Sequence, residues 1–150
     1  MVQEGGTGAA QPPVQPAVKS RSRNFTKDDQ VALCHAWLNI NEDPLVGNEQ
    51  SGAEFWVKVA SAFNKMMEES GCAERSREDN SLQLHWRDNL QKSVNKFCGA
   101  YSKAKQVEKS GYTEQDYIEL ALQLYSDSMP KRQAFKLLHC WNILGNKPKW

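Results

Sequence analysis

The sequence predicts an all-α chain. Apolar residues recur at steps of three and four along most of its length, which is the period of a helix. No segment alternates apolar and polar residues for long enough to indicate a strand. Two threonines, Thr26 and Thr113, each precede an aspartate by three residues, a spacing typical of a helix N-terminus.

The first half of the chain predicts a tail and three helices. Residues 1–24 are rich in Gly, Pro, Gln and Ala, which favours a disordered tail. The first helix begins at Thr26, and a loop containing Pro44 separates it from a second helix that stops near Gly71. The third helix covers about 80–97, where Leu, Trp, Leu and Val recur every four residues.

Two further helices follow. Thr113 begins the fourth, and Pro130 separates it from a last helix expected over 131–144, "KRQAFKLLHCWNIL". We therefore divide the chain into a disordered tail (1–24), a three-helix domain (25–98) and a C-terminal helical extension (99–150). The apolar stripe of the last helix either packs back on the three-helix domain or forms a partner or dimer surface.

Charge is unevenly distributed. The chain has a net charge of +1, yet residues 25–79 sum to −6 and residues 80–109 to +4. Either this is a chance fluctuation over surface helices, or the third helix faces phosphates. The cluster "KSRSR" at the end of the tail is interpreted either as a weak nuclear-import signal or as an arm that contacts phosphates. The four cysteines show no C-x-x-C spacing, so we read them as reduced thiols and predict no metal and no cofactor.

Three tryptophans lie one to a helix, at Trp37, Trp56 and Trp86. Each falls on the apolar stripe of its own helix. Because short helices are marginal alone, a unit of this size has to bury large rings to hold together. We therefore predict that these three residues form the structural core.

This spacing of tryptophans resembles the Myb/SANT repeat, a three-helix unit that binds DNA. The stretches "WLNINEDPLVGNEQSGAEFW", "VNKFCGAY" and "HCW…PKW" resemble plant Myb/SANT-like, trihelix-type proteins associated with Harbinger transposons, and the resemblance covers about residues 23–150. It implies a helix-turn-helix core with one or two added C-terminal helices. It also implies a nuclear protein that binds double-stranded DNA, in transcription regulation or as a transposon-derived accessory protein. A transposase-like or chromatin protein would be a further partner, and no membrane is involved.

The outward face of the third helix would carry the DNA contacts. With Trp86 facing the core and 100° per residue, polar side chains fall on the far side and on the flanks of the helix. By the resemblance, the base-reading positions fall on Gln83, Leu84 and Arg87. Leu84 and Asp88 depart from the family pattern, and a solvated helix face would show the same polarity. The predicted DNA-binding residues are Ser81, Gln83, Leu84, Arg87, Gln91, Lys92 and Lys96.

Two other functions compete with DNA binding. A SANT-like module that binds a histone tail or partner protein is favoured by Leu84 and Asp88, whereas Arg87 and Lys92 favour DNA. An enzyme is not predicted, because paired carboxylates, a nucleophile elbow and a phosphate-binding glycine loop are missing. Some similar plant sequences carry a glutathione-transferase label. We find no βαβ pattern of the thioredoxin type and no room for the two domains of such an enzyme.

Overall fold

The computed structural model describes residues 24–43 and 51–145. Within these ranges every regular element is helical, which confirms the all-α class. The predicted tail, apart from Asn24, lies outside the described residues, as do Pro44 with most of the "DPLVGNEQ" stretch and the last five residues of the chain. Among the helices described, none is both long enough and apolar enough to span a lipid bilayer.

The described part of the chain contains six α-helices and three shorter helical pieces. A π-helical segment, Trp86–Gln91, joins the third and fourth α-helices into one continuous helical run, 79–106. Single 3₁₀ turns lie at Ala73–Arg75 and Pro130–Arg132. The α-helices are α1 (Lys27–Asn41), α2 (Gly52–Glu69), α3 (Asp79–His85), α4 (Lys92–Gln106), α5 (Glu114–Ser128) and α6 (Leu138–Leu144).

Helix starts follow the sequence closely. At α1 the Asp29 N–H donates to Thr26 Oγ1 at 3.1 Å, and the Thr26 N–H donates back to the Asp29 carboxylate at 3.0 Å. Thr113 and Asp116 make the same reciprocal pair at α5. Both predicted caps are therefore confirmed. These pairs satisfy backbone donors that have no partner inside the helix.

The π-helical segment explains the four-residue spacing of the third apolar stripe. In an α-helix, steps of four drift by about 40° each, so Val94 would lie about 80° from Trp86. A π turn has wider, i to i+5 hydrogen bonding and absorbs an extra residue. As a result Leu82, Trp86, Leu90 and Val94 are all buried, three of them fully.

The last predicted helix begins later than expected. The prediction of a helix over 131–144 is wrong for 131–137, and α6 begins only at Leu138. Lys131 and Arg132 adopt left-handed backbone conformations, with φ of 57° and 52°, which an α-helix cannot contain. This turn brings Phe135 against Phe97, where the two rings stack at a centroid distance of 4.3 Å.

Two groups of aromatic rings form the interior. Trp37 stacks on Trp86 at 4.7 Å, and Trp56 meets Trp86 edge to face at 6.1 Å. The three indoles are 8%, 8% and 3% exposed. Phe97 and Trp141 belong to the second group, with ring centroids 5.1 Å apart. The second group joins the C-terminal elements to the helical run, so the described residues share one hydrophobic core.

Two buried thiols lie where α6 closes against α1. Cys34 and Cys140 are both fully buried, and their thiols share a hydrogen bond. That hydrogen bond and the burial raise the pKa of Cys34 well above its usual value. A thiol held this way is unreactive and packs as a small apolar group.

A buried carboxylate ties α1 to the connector after α2. Asp29 is fully buried, and the Arg75 guanidinium donates two hydrogen bonds to its carboxylate, at 2.9 and 2.8 Å. Arg77 approaches the same carboxylate at 3.7 Å. Burial raises the pKa of Asp29, but Arg75, the Thr26 N–H and Arg77 together outweigh it, so the net pKa is lowered.

We expect Asp29→Asn to destabilise the protein by about 3 to 5 kcal/mol, because it leaves buried guanidinium charge without its carboxylate. Asp28→Asn is the matched control, since Asp28 is exposed on the same helical turn. Urea unfolding of both variants at pH 7 measures the difference. Equal, small losses in the two variants would show that the buried network does not hold α1 in place.

Candidate ligand-binding cleft

A cleft of about 390 Å³ opens between α1, the helical run, the end of α5 and the segment 133–137. Its volume is in the range typical of small-molecule sites. Hydrogen-bonding side chains form much of its wall, and Lys136 is the one cation among the described residues that line it. The lining residues are Gln30, His85, Asn89, Ser93, Tyr125, Met129, Gln133, Ala134, Lys136 and Leu137.

The helical run supplies one polar edge of this cleft. His85, Asn89 and Ser93 lie four residues apart, the same spacing as the buried stripe of the run. Because the π-helical segment keeps that stripe in register, it also keeps these three side chains on one side. The cleft therefore depends on the same widened turn as the core.

Gln30 links two histidines across the cleft wall. His139 Nε2 lies 2.7 Å from Gln30 Oε1, and Gln30 Nε2 lies 3.2 Å from His85 Nε2. An amide oxygen only accepts and an amide nitrogen only donates, so His139 carries a proton on Nε2 and His85 accepts at Nε2. Asn89 Nδ2 lies 3.2 Å from His85 Nδ1, so both ring nitrogens of His85 face an amide nitrogen. A neutral imidazole accepts at one nitrogen only, so with Nε2 accepting from Gln30, the proton on Nδ1 requires the Asn89 amide to be turned by 180°, which brings its oxygen to the ring.

His85 is held in its neutral form. Burial lowers its pKa, the positive charge of Arg77 lowers it further, and Asp29 opposes them only in part, which gives a pKa of about 4. The Phe25 ring stacks on His85 with centroids 3.7 Å apart. The Arg77 guanidinium carbon lies over the same Phe25 ring, 3.7 Å from its centroid. The imidazole is thus a fixed, uncharged hydrogen-bonding group at neutral pH.

The seven residues predicted to contact DNA lie elsewhere on the helical run. Leu84 is 43% exposed, and Arg87 donates to Asp88 at 2.9 Å. Gln91, Lys92 and Lys96 are exposed, whereas Ser81 and Gln83 are half-buried. None of the seven lines the cleft.

Sequence reasoning missed most of the cleft. Its polar residues come from positions 30, 85–93 and 133–136, and no short motif joins them. The segment 133–137 was expected to be helical, which would have turned its side chains differently. One signal was available: His85, Asn89 and Ser93 repeat the four-residue step of the neighbouring apolar stripe.

Two curated proteins of Arabidopsis thaliana are similar to the chain. Glutathione S-transferase T3 is 30% identical over 132 residues, and Glutathione S-transferase T2 is 32% identical over 134 residues. Each alignment covers 88% of this chain but only 22% of the relative, so the chain spans less than a quarter of the length of the curated relatives it matches. No protein-family model matches the chain. No solved structure matches it either.

These relatives overturn several predictions made from the sequence. Both are named as glutathione S-transferases, which are enzymes, so the recognition as a Myb/SANT-like, trihelix-type protein is wrong by this comparison. The function of double-stranded DNA binding, the DNA partner and the expectation of a non-enzyme are wrong by the same comparison. The names lend no support to the alternative, a SANT-like module for a histone tail or partner protein.

The physical reason lies in what the sequence patterns report. One tryptophan per helix is what a small helical core needs, and Trp37, Trp56 and Trp86 pack on one another. That pattern therefore reports packing and says nothing about a partner. The +4 charge of residues 80–109 is also partly neutralised within the fold, since Lys105 lies 3.5 Å from Glu114, which is outside that segment. Arg87 in turn pairs with Asp88 at 2.9 Å.

We expect stability to fall as pH decreases from about 6.5 toward 4, by up to roughly 3 kcal/mol. The reason is that folded His85 has a pKa of about 4, below the roughly 6.5 of an unfolded histidine, so protons favour the unfolded state in this window. Urea unfolding between pH 4.5 and 8 measures it. His85→Phe keeps an aromatic ring against Phe25 but cannot bind a proton, so its profile should be flatter. An unchanged slope in the variant would contradict the assignment.

Proposed function

We propose that this chain takes part in glutathione S-transfer, and that its contribution is to bind glutathione in the cleft between α1, the helical run and the segment 133–137. The observation that carries the proposal is the 30–32% identity to two proteins named as glutathione S-transferases over 88% of the chain. The aligned part is 22% of each relative, so we assign this chain one step, ligand binding, and not the whole reaction.

The chemistry of the cleft supports a peptide ligand. Glutathione is a tripeptide with two carboxylates, two amide groups and a thiol. Side-chain amides offer both donors and acceptors, which is what a peptide group needs, and the cleft contains three of them, Gln30, Asn89 and Gln133. Lys136 supplies a positive charge for a carboxylate or a thiolate.

The same groups favour the reactive form of the thiol. In S-transfer the nucleophile is the thiolate, and a nearby cation or hydrogen-bond donor lowers the pKa of a thiol. Lys136 and the hydroxyl of Ser93 both line the cleft. Neutral His85 adds no charge of its own, so the sign of the local potential rests on Lys136.

Three predictions from the sequence remain proposals beside this one. We propose that the first three helical elements form a three-helix core, supported by the contacts of their tryptophans, with the later helices added to it. The division into 1–24, 25–98 and 99–150 is also a proposal, and α4 continues from Lys92 to Gln106 across its second boundary. Nuclear location stays a prediction from the basic cluster at 19–23.

Titration of the ¹⁵N-labelled protein with glutathione tests the function. We expect saturable chemical-shift changes at cleft residues, with a dissociation constant on the order of 1 mM, typical of weak ligands. Asn89→Ala combined with Ser93→Ala should weaken binding by about thirtyfold, because each of the two lost hydrogen bonds is worth about 1 kcal/mol.

Asn95→Ala is the matched control, because it removes an exposed amide from the same helix without touching the cleft. It should leave the affinity for glutathione unchanged. No shift changes at several times the expected dissociation constant, or an equal loss of affinity in the control variant, would refute the proposed site.

A further inference from the structure

A second cavity lies on the other side of Lys136. It is a groove of about 540 Å³ beside the start of α1 and one side of α6. Apart from Lys136 it shares no lining residue with the cleft. Its lining residues are Lys27, Phe135, Lys136, Leu138, His139 and Asn142.

Among the residues that the structure describes, the side chains lining the groove include three basic ones and no acidic one. Lys27 comes from the first turn of α1, Lys136 from the segment before α6, and His139 from α6 itself. Neither lysine forms an ion pair within residues 24–43 and 51–145. Positive charge is therefore concentrated here without a carboxylate among the described residues to balance it.

The charge of Lys27 affects the protonation of His139. Burial lowers the pKa of His139, and the positive charge of Lys27 lowers it further. Lys136 is the charged group that faces the groove from the preceding segment, and Gln30 of α1 is neutral. An anion placed among these groups would offset their positive charge at the imidazole and raise the pKa of His139.

His139 can accept a proton without disturbing its neighbours. Its Nε2–H already donates to Gln30 Oε1 at 2.7 Å, so a second proton goes to Nδ1 and the Gln30 amide keeps its orientation. His85 differs, because a proton on its Nε2 would face the Gln30 Nε2–H group at 3.2 Å. Of the two histidines, His139 is therefore the one that can be protonated while it keeps its hydrogen bond to Gln30.

We propose that this groove binds a small oxyanion, either a carboxylate or a tetrahedral anion, between Lys27, Lys136 and a protonated His139. Binding takes up one proton from the solvent, which adds to Nδ1 of the ring. Asn142 supplies an amide donor, and Phe135 and Leu138 form an apolar wall for the remainder of an organic anion. The site goes beyond the proposed function, since it differs from the glutathione cleft in all lining residues but Lys136.

Sulfate is the probe, because its own charge stays constant between pH 6 and 8. Any change in its affinity over this range therefore reports protonation of the protein and not of the ligand. At fixed ionic strength we expect sulfate to raise the pKa of His139, followed by the imidazole NMR signals, and to bind more tightly at pH 6 than at pH 8. Acetate over the same range tests whether a carboxylate occupies the site as well. Binding of sulfate but not acetate would assign the groove to tetrahedral anions.

Lys27→Gln should weaken sulfate binding by about tenfold, the effect of losing one charge-assisted contact. His139→Gln should bind with little dependence on pH. Lys58→Gln is the matched control, since it removes one exposed positive charge outside the groove. The inference is overturned if Lys27→Gln binds sulfate like the control, or if sulfate leaves the pKa of His139 unchanged.

The cleft variant, Asn89→Ala with Ser93→Ala, separates the two proposals. It leaves every lining residue of the groove intact, so it should bind sulfate like the wild type. Loss of glutathione binding with retained sulfate binding supports both sites. Retained sulfate binding in a protein that never binds glutathione would refute the cleft alone.

Discussion

The buried carboxylate of Asp29 is the constraint on which the rest of the structure depends. Its two oxygens accept from Arg75 and from the backbone N–H of Thr26, and Arg77 lies 3.7 Å away. The start of α1 and the connector after α2 therefore meet at one fully buried group. Gln30 is the next residue, and its amide links the two histidines. Fixing Asp29 therefore also fixes the side chain that organises the cleft.

A buried ion pair is an expensive way to hold helices together. Removing a carboxylate from water costs several kcal/mol, and a well-packed apolar replacement is often as stable. What the ion pair adds is a defined geometry, because the fork of Arg75 matches the carboxylate at 2.9 and 2.8 Å in one orientation. The neighbouring Arg77 extends this order, since its guanidinium packs on Phe25 and Phe25 packs on His85.

The sequence predicted the helices much better than the cleft, and the difference has a physical cause. Caps are local, so Thr26 with Asp29 and Thr113 with Asp116 could be recognised from a spacing of three residues. The turn at 131–132 depends on a distant packing contact, the stack of Phe135 on Phe97, and no local rule contains it. The cleft was beyond reach for the same reason, because its walls come from segments more than a hundred residues apart in sequence.

Hydrogen-bond direction decides how the two cavities differ. The Gln30 amide has one accepting end and one donating end, and the fold turns the accepting end toward His139 and the donating end toward His85. One imidazole is therefore left able to gain a proton and the other is kept neutral, although both have lowered pKa values. With the amide turned by 180° the two roles would be exchanged, because its accepting end would then face His85. The orientation of a single side chain thus separates a neutral, hydrogen-bonding cleft from a groove whose charge can rise.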